Sequence, residues 1–152
     1  MALGLLGVVG LVLAAAALWT VVSNGPGAAP EIRVDRARSG ERVGTTAAVY
    51  LDVSNEGGGD RIVRVTSPAA SRALVHGTDD AGMMQTSEGL DVPGGSTVRL
   101  VPGGEHVMLE GVGSRLEPGD VFPVRIEFER HAPVDVEVRV VALEDLAGEG
   151  TP

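Results

Sequence analysis

Residues 121–143 read VFPVRIEFERHAPVDVEVRVVAL, and they alternate. Val124, Ile126 and Phe128 stand against Arg125, Glu127 and Glu129, and Val134, Val136, Val138 and Val140 against Asp135, Glu137 and Arg139. Successive side chains of a strand face opposite ways, so a period of two sends the apolar row to a core and the charged row to water. His131-Ala132-Pro133 between the two runs is short enough for a hairpin connection.

The same reading extends upstream. EIRVDRAR (31–38) alternates, and TTAAVYLDVSN (45–55) is β-branched and apolar until the glycines at 57–59 turn the chain. DRIVRVTSP (60–68) stops at Pro68, SRALVHG (71–77) stops at Gly77, and GLDVPGGSTVRLVPGGEHVMLEGV (89–112) is strand cut by two Pro-Gly-Gly turns. No stretch after residue 30 carries a 3.6-residue period. Short strands separated by Gly/Pro turns predict one all-β domain over 31–143, a Greek-key barrel or sandwich, with a flexible tail at 144–152. With two Phe, one Tyr and one Trp in 152 residues, its core must be mostly Val, Leu and Ile.

Ahead of this domain the composition is different. Residues 1–22, MALGLLGVVGLVLAAAALWTVV, hold no charged side chain and are long enough to cross a membrane as a hydrophobic helix. They are followed by a Pro/Gly linker over 23–30. The segment is an export element: an uncleaved anchor, by its length and its lack of a basic start, or a signal that is removed. Either way the domain lies outside the cytoplasm, membrane-anchored in the first case and secreted or periplasmic in the second. All 12 basic and 21 acidic residues follow the segment, so the domain carries the whole net charge of −9, which argues against a nucleic-acid partner. The absence of Cys removes disulfides, thiol chemistry, the His₂Cys copper site and a cysteine-borne lipid at the junction.

Soft donors are concentrated instead. His106 and Met108 flank Val107, and residues i and i+2 of a strand share a face. Upstream lie His76, at a strand end, and Met83-Met84 in a polar Gly/Asp loop. Loops run over the surface, where an apolar side chain gains little from packing. Thioethers favour Cu(I), imidazole takes Cu(I) or Cu(II), and neither ligand needs to lose a proton or can form disulfides. The competing reading of a strand methionine is core packing.

Residues from about 44 to 142 resemble the PCuAC family of extracytoplasmic copper chaperones. The resemblance lies in SEGLDVPGGSTVRLVPGGEHVMLEGV and in LEPGDVFPVRIEFER. The family's ligand pattern is His, ten residues, Met, twenty-one residues, His, one residue, Met. Met84 here precedes His106-Val107-Met108 by that same interval of 21 residues. His76 lies seven residues before Met84, so the first loop is three residues short. A loop of that length can still close on one ion, or Met83 takes the place of Met84. The resemblance implies a cupredoxin-like Greek-key β-barrel with His76, Met84, His106 and Met108 as ligands of one copper, Cu(I) by preference and Cu(II) possible. The expected protein is a non-enzymatic carrier, monomeric in its soluble domain. Such a carrier delivers copper to an accepting protein such as cytochrome c oxidase or another copper chaperone.

The other candidates read more plainly. His131 is a hairpin residue, Asp79 and Asp80 are solvated loop carboxylates, and Glu105 points to the strand face opposite His106. Ser96 and Ser114 lack the surroundings of a nucleophile. The runner-up reading is an exported structural or adhesive β-sandwich without metal function, and an enzyme such as a copper oxidase comes third, with no second metal cluster or substrate-binding motif in the sequence.

Overall fold

In the computed structural model the described residues are 27–78, 83–113 and 115–147, and the side chains of Thr78 and Met84 are not among what is described. Among the described residues ten strands form one continuous sheet: β1 (Ile32–Ser39), β2 (Thr46–Asn55), β3 (Asp60–Thr66), β4 (Arg72–Thr78), β5 (Met84–Ser87), β6 (Leu90–Val92), β7 (Ser96–Leu100), β8 (His106–Glu110), β9 (Val121–Phe128) and β10 (Val134–Val140). The order is β5-β4-β8-β2-β1-β10-β9-β3-β6, with β7 also on β2. The sheet curls into a nearly closed barrel, the cupredoxin-like all-β fold the sequence predicts.

Alternation builds the core as expected. On β9, Phe122, Val124, Ile126 and Phe128 are buried, and on β2 Ala47, Val49, Leu51, Val53 and Asn55 are buried in turn. The buried hydrophobic residues are aliphatic apart from the two phenylalanines. β9 and β10 form the predicted hairpin, with Val134 opposite Ile126 and Val138 opposite Phe122. The one parallel pairing among the described strands joins β1 to β10 and brings the chain ends of the barrel wall together.

Three local features differ from the sequence reading. Met84 opens β5, a strand where a loop is expected. MQTS carries no apolar alternation, and it is extended because β4 offers it a free edge. The start of the tail forms a short helix, α1 (Leu143–Ala147), because Leu143 and Leu146 seat on Gly40, where a Cβ would stand 2.7 Å and 2.9 Å from their methyl carbons. The end of the linker is packed as well: the Gly58 amide donates to the Ala29 carbonyl at 2.9 Å. The hydrophobic segment 1–22 and its expected helix lie outside the described residues. Among those residues no helix is long and apolar enough to cross a membrane.

Candidate metal site

Register decides which side chains meet. On β8, His106 is opposite His76 of β4 and Met108 is opposite Leu74. On β4's other edge, His76 is opposite Thr86 of β5 and Thr78 is opposite Met84. Cross-strand partners share a face of the sheet, and so do residues two apart. His76, His106 and Met108 therefore stand on one face, the outer one, since their neighbours Val75, Val107 and Leu109 are buried in the barrel. Position 84 is paired with Thr78 and so stands one step beyond the His106–His76–Thr86 row, on the side away from the Leu74–Met108 pair.

The imidazoles of His76 and His106 lie with ring centres 5.4 Å apart, edge to face at 72°. His106 is buried although it is on the outer face, hemmed in by His76, by the Tyr50 ring at 6.2 Å and by the turn before it. That turn fills the gap between β7 and β8, which lie end to end along one edge of β2. It closes through the Val101 amide to the Glu105 carbonyl at 2.9 Å and the Gly104 amide to the Val101 carbonyl at 3.0 Å. Gly103 supplies the φ of +82° that a side chain would resist. The turn aims the Gly104 carbonyl at His106 Nδ1, 3.0 Å away. A carbonyl only accepts, so Nδ1 carries the proton and Nε2 of the neutral ring keeps its lone pair. Orienting an imidazole through a backbone carbonyl is the usual outer support of a metal-binding histidine.

His76 Nε2 is 3.3 Å from Thr86 Oγ1. Its basicity is lowered, first by desolvation and then by the neighbouring His106, against an opposing contribution from Glu110. Both effects favour the neutral ring, the form that binds metals. Met108 is half-buried; on its other side it lines an apolar groove of about 250 Å³ with Ala48, Tyr50, Leu143 and Leu146. Met83, one residue ahead of β5, is exposed.

The remaining candidates are not brought here. His131 sits by the β9–β10 turn, its ring edge on Phe128 and its amide donating to Asp60 Oδ2 at 2.9 Å. Glu105 lies against Gly77 on the opposite face of the strand pair. The Ser96 hydroxyl donates to the Pro93 carbonyl at 2.6 Å and serves a turn. Asp79, Asp80 and Ser114 lie outside the described residues. Among the described residues no group of three or more His, Asp or Glu could hold a metal ion. Thr86, Tyr50 and the Gly104 carbonyl escape the sequence reading; pairing MQTS with β4 is the signal that would have found Thr86.

The model of the LpqE-like family, described as "Putative lipoprotein LpqE-like", matches residues 29–140. The chain is 40% identical over 103 residues to "Putative lipoprotein Lxx21020" of Leifsonia xyli subsp. xyli. That match covers 63% of this chain and 61% of the relative, so the chain spans less than two thirds of the relative's length. Among solved structures, a copper-bound PCuAC domain from PmoF2 superposes with a TM-score of 0.66 at 23% identity, covering 76% of this chain and 96% of that one. The Cu(I) form of DR1885 from Deinococcus radiodurans superposes with a TM-score of 0.61 at 22% identity, covering 70% and 76%. The fold is that of the PCuAC domains, as the resemblance in the sequence implies.

Proposed function

We infer the function from two premises: the chain belongs to the LpqE-like family, and its outer face pairs two imidazoles beside a thioether. We propose an extracytoplasmic copper carrier that binds one Cu(I) through His76, Met84, His106 and Met108 and passes it to a copper-accepting protein such as cytochrome c oxidase. Segment 1–22 holds the domain at the membrane.

The observation that carries this reading is the spacing of the rings. A nitrogen bound to a metal at about 2.0–2.1 Å puts its ring centre about 3.2 Å from the ion, so two imidazoles sharing one ion stand about 5–6 Å apart. The 5.4 Å between the rings of His76 and His106 falls within that separation. The cross-strand register also supports His76 as a ligand despite the short loop. Its place is set by pairing with His106 and Thr86 and does not depend on the length of residues 77–83.

All four donors are neutral, so the site binds copper without releasing a proton and gives it up without taking one. Transfer proceeds by exchange: thiolates of the acceptor displace the thioethers first and the imidazoles last. Cu(II) is held by the imidazoles once the thioethers are gone, since nitrogen donors suit both oxidation states. The site moves copper and performs no reaction on it.

Competition titration with a Cu(I) chelator tests this. The wild-type chain takes up one Cu(I), and Met84→Ala/Met108→Ala, like His76→Ala, binds it at least tenfold more weakly. Equal weak binding by wild type and the double variant would return the protein to the reading of an exported β-sandwich without metal function. Oxygen consumption by the copper-loaded chain would show an oxidase.

A further inference from the structure

His76 has one nitrogen unaccounted for. Nδ1 is buried and has no hydrogen-bond partner, while Nε2 faces the Thr86 hydroxyl at 3.3 Å. Buried polar atoms are nearly always satisfied, so an orphan calls for an explanation such as an ion. A neutral imidazole has one N–H and one lone pair, and their placement has opposite consequences here. With the proton on Nδ1, a buried donor is stranded and the remaining lone pair is taken by the Thr86 hydroxyl, leaving no nitrogen for a metal. With the proton on Nε2 and donated to Thr86 Oγ1, the buried Nδ1 is an unshared lone pair.

We propose that Thr86 is a positioning residue that keeps the His76 proton on Nε2, so that copper is held by Nδ1 of His76 and Nε2 of His106. The inference rests on the copper reading above. It makes the site asymmetric: a backbone carbonyl from the 101–105 turn fixes one imidazole, and a side-chain hydroxyl from β5 fixes the other. β5 carries Met84 two residues before Thr86. One short edge strand thus sets both a thioether position and the tautomer of the first histidine, which a short 77–83 loop could not do by its own length.

Long-range ¹H–¹⁵N correlation spectra of the labelled full chain, apo and with Cu(I), read the tautomers directly. In the apo chain His76 shows a protonated Nε2 and a bare Nδ1. On adding Cu(I), the resonances that move to the ligated range are Nδ1 of His76 and Nε2 of His106. Thr86→Val loses the tautomer preference and weakens Cu(I) binding by about 10- to 100-fold, the usual cost of removing an outer support. Thr86→Ser restores both. A proton found on Nδ1 of apo His76, ligation through its Nε2, or a Thr86→Val variant unchanged in tautomer and affinity each overturns the proposal. If instead no histidine or methionine resonance responds to Cu(I), the copper reading itself fails, while the apo spectrum still decides the Thr86–His76 relation.

Discussion

His76 and His106 are directly opposed across two strands, yet their surroundings treat them differently. His106 is enclosed and its tautomer is fixed by the main chain, whereas His76 is half-buried and loses basicity through desolvation and through its neighbour. The shift has a defined consequence for stability. An imidazole with a folded-state pKa below its ordinary value of about 6.5 takes up its proton more readily in the unfolded chain. Above that value neither state is charged and His76 contributes nothing to the pH dependence. As the pH falls below it the unfolded state is favoured, until the folded ring protonates too. Urea unfolding of the apo chain at pH 7.5 and pH 5 is expected to show lower stability at the acid end, with a smaller difference in His76→Gln. On the proposed copper reading, Cu(I) on His76 would take the lone pair that the proton needs, so the loaded protein is expected to hold its stability further into acid. A His76→Gln variant with the full wild-type pH dependence would assign the effect to other groups.

β8 shows on one strand what the sequence made legible and what it did not. Period two assigns Val107 and Leu109 to the core and His106, Met108 and Glu110 to the other face, and each lies there. The hairpin of β9 and β10 and the aliphatic core were readable for the same reason: burial imposes alternation, and alternation survives in the sequence. β5 was not, because an edge strand with one paired side needs no apolar row, and its only cause is the free edge of β4. The burial of His106 on an outer face was not readable either, since Tyr50, His76 and the 101–105 turn reach it from three separate stretches of chain. The two faces give opposite mutational signatures. Leu109→Ala, at a fully buried site, is expected to cost about 2–5 kcal/mol in chemical denaturation while the folded fraction keeps its copper affinity. Met108→Leu, a change of nearly equal volume at a half-buried site, is expected to cost under about 1.5 kcal/mol and to lose most of the Cu(I) affinity. A Met108→Leu variant that unfolds as easily as Leu109→Ala would make Met108 a packing residue after all.

At the scale of the whole molecule, a buried asparagine helps to tie one end of the barrel. Asn55 is 1% exposed and ends β2. Its Oδ1 accepts from the Glu31 amide at 3.1 Å and the Gly57 amide at 3.0 Å, and its Nδ2 donates to the carbonyls of Gly58 at 2.8 Å and Val92 at 3.1 Å. Both amide hydrogens and the carbonyl are thus in use, joining the start of β1, the 56–59 turn and β6. Residues 28–30 lie across that turn so closely that a Cβ on Gly58 would stand 2.1 Å from the Ala28 carbonyl oxygen. The Arg130 guanidinium fastens them from the far side, donating to the carbonyls of Ala28 and Gly59 at 2.7 Å each. The chain that leads from segment 1–22 is therefore gripped before it enters β1, and the grip is electrostatically neutral on the Asn55 side. Asn55→Leu fills the same volume but strands two amides and two carbonyls in the interior, each costing on the order of 1–3 kcal/mol if no water reaches it. The expected result is a loss of about 3 kcal/mol or more in unfolding free energy, with faster amide exchange at Glu31 and at 56–58. The His76–His106 pair lies on another part of the wall, so Cu(I) affinity per folded molecule should stay within about threefold of wild type, as for well-separated sites. An Asn55→Leu chain as stable as wild type would show that water replaces the side chain and that the packing of 28–30 alone holds this end of the barrel.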